Sequence, residues 1–172
     1  FKGRVAKGDA VVSILRGPGG VAIRSAEGQS LRFDRVLIAT HADEALALLK
    51  DADPDEAKTL GAFRYARNEA VLHTDAVLMP RRRRLWSSWN YRSGGETGVS
   101  LTYWMNRLQP LETDTDYFVS INPDLKISGD HVVERMAYEH PMFDARAIAT
   151  QNHLWSLQGR RRTWYAGSYF GY

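Results

Sequence analysis

Residues 20–49 read GVAIRSAEGQSLRFDRVLIATHADEALALL, and the class of the fold turns on this stretch. Val21 to Ser25 is rich in branched residues, Glu27-Gly28-Gln29 forms a turn signal, and Arg35 to Ala39 is rich in branched residues again. The run Val36-Leu37-Ile38-Ala39 is almost wholly apolar, as expected of a strand covered on both faces. It leads through Thr40 and His41 into a segment with Ala42, Ala45, Leu46 and Leu49 at helical spacing. Upstream, Ala10 to Leu15 supplies another strand, joined by the turn Gly17-Pro18-Gly19-Gly20. The expectation is a β-meander whose third strand, Arg35 to Ala39, feeds a helix.

Working outward, Asp53-Pro54-Asp55-Glu56 combines a cap, a first-turn proline and first-turn acids, which predicts a second helix to about Leu60. Strands are expected at Glu69 to Thr74, Leu85 to Tyr91, Val99 to Trp104, Tyr117 to Ile121 and His131 to His140, with Pro141 ending the last. Ser93 to Gly98 reads as a hairpin tip. Asp144 is placed to cap a helix running to Leu157, with Ile148, Trp155 and Leu157 available for burial, and Thr163 to Gly167 reads as a short buried strand. The fold class is therefore α+β: a mixed, largely antiparallel sheet with flanking helices at 42–50, 54–60 and 144–157.

The chain has 172 residues, 44% of them hydrophobic, enough to bury a core. No apolar run approaches the roughly 20 residues of a membrane-crossing helix. With no cysteine there is no disulfide, thiolate metal site or cysteine nucleophile, and the cytoplasm is the expected location. The formal charge of +3 is concentrated in Arg81 to Arg84 and Arg160 to Arg162, so local anion attraction is expected rather than a basic body built for nucleic acid. The chain opens on Phe1 and closes on Tyr172 directly after an apolar run, and is expected to be part of a longer protein.

The glycines at 17, 19 and 20 lie between strands and lack the spacing and following helix of a phosphate cradle. The five histidines, at 41, 73, 131, 140 and 153, show no paired metal-ligand spacing, and no metal is expected. In Gly167-Ser168-Tyr169-Phe170-Gly171 the serine comes one place too early for a nucleophile elbow. Trp86, Trp89, Tyr91, Tyr103 and Trp104 bunch in alternating strands with Asn90 and Asn106, where some rings serve the core and others wall a cavity.

Val11-Val12-Ser13-Ile14-Leu15-Arg16, the 20–49 stretch and the terminal TWYAGSYFGY (163–172) resemble the flavin-containing amine oxidase superfamily, which includes protoporphyrinogen oxidases and carotenoid desaturases. VLHTDAVLMPRRRRLWSSWNY (71–91), LTYWMNRLQPL (101–111) and YEHPMFD (138–144) resemble a bacterial subgroup of predicted NAD/FAD-binding, amine-oxidase-like proteins. The resemblance implies a remnant of an FAD domain at 1–41, a substrate domain at 42–160 and the start of a second FAD-contacting segment at 161–172. It implies cofactor contacts at Val11, whose strand meets the adenine, at Ala39 and Thr40 near the dinucleotide, and at Gly167 and Ser168. Ser168 stands where the wider family often has an acid.

The family's glycine-rich strand-turn-helix is absent from these residues, so FAD is expected in the full-length parent and not retained by this chain alone. Trp89, Tyr91, Tyr103, Trp104 and Tyr169 are the expected substrate walls, with Asn90, Asn106 and His140 as orienting polar groups. The implied reaction is hydride transfer from a small organic molecule, an amine or an acyl or isoprenoid lipid, to flavin. No catalytic acid or base is assigned. The rival function is a non-catalytic module using arginines and aromatics to engage an acidic partner or nucleic acid. Pairing of two copies through exposed surfaces is a further expectation.

Overall fold

The computed structural model describes residues 2–93 and 98–171; positions 94–97 of the expected hairpin tip lie outside the described residues. The chain forms two compact units, one made of the residues up to Tyr65 and from Pro141 onward, the other of Ala66–His140.

In the first unit, β1 (Val11–Gly17), β2 (Gly20–Ser25) and β3 (Ser30–Phe33) form an antiparallel meander. Gly20 takes a positive φ of 122° where β1 turns into β2. A Cβ there would lie 2.7 Å from the Phe33 carbonyl oxygen, so the turn needs glycine twice over. The third meander strand is therefore Ser30–Phe33 and not Arg35 to Ala39. The next strand, β4 (Val36–Ile38), leaves the meander and pairs in parallel with β10 (Thr163–Tyr165), far away in sequence, with Val36 in register with Thr163. Only Ile38 of β4 is buried; Leu37 is 63% exposed, so one face of this strand is open.

Helices α1 (Ala42–Leu48), α2 (Pro54–Leu60) and α4 (Ala145–Leu157) pack on these strands. The Asp53 side chain accepts a hydrogen bond from the Glu56 amide at 2.9 Å, and the Glu56 side chain accepts one from the Asp53 amide at 2.9 Å, completing a capping box. In α4, Ala147, Leu154 and Leu157 face the core. Ile148 and Trp155, one position further round the helix, are exposed.

One buried ionic cluster ties the elements together. Arg16 on β1 donates through Nε to Asp51 at 3.0 Å and through Nη2 to Glu56 at 2.8 Å, and Tyr165 on β10 donates to Glu56 at 2.9 Å. Burial alone would push the Glu56 carboxyl up, but the hydrogen bonds from Arg16, the Asp53 amide and Tyr165 hold it below its ordinary value. Arg161 binds Asp51, and Arg160 binds Asp53 and Asp55, so the second arginine block closes this cluster instead of standing free in solvent.

The second unit holds all but the first two residues of β5 and the last two of β9 of a five-stranded sheet in the order β6-β7-β8-β5-β9, made of β5 (Arg64–His73), β6 (Trp89–Ser93), β7 (Val99–Trp104), β8 (Phe118–Ile121) and β9 (Val132–Met142). A short helix α3 (Met105–Leu108) follows β7. β9 runs through Pro141 instead of stopping there, because it is an edge strand and a missing N–H costs no ladder bond on the open side. Leu85, expected in a strand, belongs to a 3₁₀ turn at Arg83–Leu85.

Candidate functional site

Parallel register makes β4 and β10 end together. Ala166 donates its amide to the Ile38 carbonyl at 3.0 Å, so Ala39-Thr40 and Ala166-Gly167 leave the two strands at the same edge. All of Ala39, Thr40, Gly167 and Ser168 are exposed there. A Cβ on Gly167 would lie 2.5 Å from the Tyr169 ring, so the turn into Tyr169 needs glycine, and 3.4 Å from the Thr40 carbonyl oxygen, so the two strand exits lie in contact. Beside Thr40 a cavity of about 540 Å³ is lined by Ala10, Val11, Thr40, Glu44, Ala47 and Leu48. Val11 and Thr40, singled out separately in the sequence, share this cavity. Open sheets of parallel strands bind ligands beyond their carboxyl ends, and this edge is such an end.

Tyr169 has a different place. It is fully buried against Phe63 and Phe170, with ring centroids 5.6 and 5.1 Å away, and burial pushes its hydroxyl up from the ordinary tyrosine value. It is a core residue of the first unit and no open wall, its ring lying in the space that a side chain on Gly167 would fill.

In the second unit the sheet divides the remaining candidates between its faces. Register pairs Trp89 with Tyr103 and Tyr91 with Leu101, then Tyr103 with Val119 and Leu101 with Ile121, then Val119 with Leu72. These side chains share one face. Trp89 and Tyr91 are each 65% exposed, and the others on this face are half-buried. Strand alternation from Tyr103 points to Leu101, while Val119, Ile121 and Leu72 join this face only through the strand register.

The opposite face is buried, with polar side chains among the apolar Val71 and Phe118. His73 Nε2 and Thr102 Oγ1 each lie 2.8 Å from Ser120 Oγ. Asn90 belongs here: it accepts from the Ser87 amide at 3.1 Å and donates to the Ser87 carbonyl at 2.7 Å, holding a turn. Trp104 also lies on this side, edge-on to Trp86 at 5.3 Å and donating to Asp116 at 3.0 Å. Arg83 binds Asp116 and stacks over Trp86 and Trp104 at 4.6 and 5.4 Å, which gives one arginine of the first block a structural post. Asn106 staples a loop by donating to the Thr115 carbonyl and accepting from the Tyr117 amide. The structure thus places Asn90, Trp104 and Asn106 in the scaffold and leaves Trp89, Tyr91 and Tyr103 open.

His140 is exposed on β9, its Nδ1 3.1 Å from Asn68 Nδ2, and Asn122 donates to Asn68 Oδ1 at 2.7 Å. Asn68 precedes Ala70 and Leu72 by even steps on β5, which puts this polar group at the end of the aromatic face. Among the described residues no group of three or more His, Asp or Glu side chains is arranged to hold a metal ion. Also among the described residues, no helix is long and apolar enough to cross a membrane.

No family model matches the sequence, and no curated protein matches it. Solved structures do. A conjugated-linoleic-acid-producing fatty acid isomerase from P. acnes is 18% identical with a TM-score of 0.56, over 92% of this chain. A reduced UDP-galactopyranose mutase is 10% identical with a TM-score of 0.62, over 97%. A putrescine oxidase bound to putrescine is 10% identical with a TM-score of 0.59, over 94%. This chain carries part of the fold those enzymes share. It spans about 42% of the length of each of the first two and 43% of the third. At these identities the likeness is one of fold, with both units included.

Proposed function

We propose that the chain is the part of an FAD-dependent, amine-oxidase-like oxidoreductase that holds the nucleoside end of the cofactor and presents a wall to the substrate. The observation that supports this best is the convergence of Val11, Ala39, Thr40, Gly167 and Ser168 on one edge of the first unit, beside the 540 Å³ cavity. The solved structures of like fold include an oxidase studied for its cofactor binding and a mutase in a reduced state, which is redox company.

The residues fit one end of the cofactor. Val11, Ala47 and Leu48 offer apolar surface for a flat base, and the Thr40 hydroxyl and Glu44 carboxylate offer acceptors for sugar hydroxyls. Gly167 leaves room for close backbone approach. The phosphates find no partner here, since Asp43 and Glu44 put negative charge at the first turn of α1. FAD, when bound, supplies the hydride acceptor. The chain's own residues orient the ligand and, at the aromatic face, exclude water from the reactant.

The full-length protein is expected to purify with the absorbance of flavin in stoichiometric amount, and this chain alone without it. Thr40→Trp, which fills the cavity from an exposed position, is expected to empty the full-length protein of flavin. A colourless wild-type protein that no added FAD restores contradicts the proposal.

A further inference from the structure

β9 ends the order of the five-stranded sheet, and among the described residues no strand pairs with its outer side. From Val133 to His140 it reads VERMAYEH, and every one of these residues except Met136 is exposed. An edge strand of this length presents a row of unpaired backbone N–H and C=O groups, which proteins cover, pair or guard by repulsion. The carboxylates of Glu134 and Glu139 have no partner among the described residues. Arg135 spends Nη1 on Glu69 at 2.7 Å, and its side chain is still 50% exposed.

We infer that β9 pairs antiparallel with β9 of a second copy of this chain, about a two-fold axis at Ala137, so that two sheets become one. The order of charges selects both the partner and the register. With Ala137 opposite itself, Arg135 faces Glu139 of the second copy, Glu134 faces His140 and Met136 faces Tyr138, and the two-fold repeats every pair. Directly opposed residues share a face, where opposite charges stabilise the pairing and like charges oppose it. Sliding by one residue in one direction sets Glu134 against Glu139, and in the other sets Arg135 against His140. Shifts of one or two residues either way leave Arg135 without a carboxylate opposite, so the charges pin a single register. An edge guarded by repulsion would set like charges against its own copy, and this one sets opposite charges. Met136 and Tyr138 add an apolar contact of a favourable kind, sulfur beside ring; within one strand the Tyr138 hydroxyl already reaches the Met136 sulfur at 3.3 Å. The pairing is independent of the cofactor proposal, which places no residue on β9.

The test is the mass of the full-length protein by light scattering over a concentration series. A monomer–dimer equilibrium is expected, weakened about tenfold or more by Glu139→Arg and likewise by Arg135→Glu, because each sets like charges opposite one another twice. An equimolar mixture of these two variants is expected to recover the dimer, since each copy then meets the opposite charge at both positions. Ala137→Cys is expected to give a disulfide-linked dimer under mild oxidation, because opposed Cα atoms lie about 4.5–5.5 Å apart, within the span of a disulfide. Lys58→Cys, outside this strand, is expected to cross-link no more than the wild type. Should Arg135→Glu unfold through the loss of its bond to Glu69, the Ala137→Cys cross-link still decides. A monomer at every concentration, a dimer that Glu139→Arg leaves intact, a mixture of folded variants that stays monomeric, or cross-linking no better at Ala137 than at Lys58 each overturns the inference. So does protection of the Glu134–His140 amides from hydrogen exchange that does not change with concentration, which would put another strand of the same chain on this edge.

Discussion

Gly167 and Thr40 lie so close that a Cβ on the glycine would stand 3.4 Å from the threonine carbonyl oxygen, with the Tyr169 ring at 2.5 Å on its other side. Two strand exits far apart in sequence meet here, and the absence of one side chain makes room for the Tyr169 ring. Gly167→Ala is therefore expected to destabilise the first unit by about 1–3 kcal/mol, the range for overpacking a tight site. Tyr169→Leu in the same chain should recover part of the loss. Thermal unfolding followed by circular dichroism checks both, and an alanine variant as stable as the wild type would show that the Tyr169 ring can give way.

The Arg16–Glu56 pair is buried, each side chain 1% exposed. Removing one partner strands a charge in the core, so Glu56→Leu or Arg16→Met alone is expected to cost about 3–5 kcal/mol, while the double replacement should cost far less. Chemical denaturation of the three variants forms the cycle that measures this coupling.

Acid should weaken the second unit through His73. Burial pushes its imidazole below the ordinary histidine value, more than Asp75 raises it back, with Arg135 and His131 lowering it further. The unfolded chain, titrating near about 6.5, then binds the proton more readily than the folded one, so stability is full above that pH and falls as pH drops below it. Between pH 7 and 5 the unfolding free energy of the wild type is expected to drop more steeply than that of His73→Gln, which keeps a hydrogen-bonding group near Ser120. Parallel slopes would assign the acid sensitivity elsewhere.

Asp53 serves both the α2 capping box and the pairing with Arg160. Asp53→Ala should cost about 1 kcal/mol through the lost cap, and Asp53→Asn much less, because an amide still caps while an exposed ion pair adds little. Equal losses in urea unfolding would shift the weight from the cap to the charge.

Local chemistry made the helices legible: Asp53-Pro54 and Asp144 cap as their residue types demand, and the branched runs form strands. The partner of β4 was not legible, because parallel pairing with Thr163–Tyr165 depends on contacts remote in sequence that no periodicity records. The Arg160–Arg162 block read as a patch for anions for a similar reason, the acidic partners of Arg160 and Arg161 lying about a hundred residues upstream at Asp51, Asp53 and Asp55. Val11, Thr40 and Gly167 were legible as cofactor candidates only through the resemblance, and the structure supplies what the residues could not, their shared edge. Among the aromatics, the bunching was visible but not which ring faces out; strand register separates Trp89, Tyr91 and Tyr103 from Trp104.

The most direct test of the central claim is hydrogen–deuterium exchange of the full-length protein without and with FAD. Slower exchange on FAD binding is expected at Ala10-Val11, at Ala39 through Leu48 and at Ala166 through Ser168. Flavin binding that leaves all three segments unchanged would contradict the assignment of this edge to the cofactor.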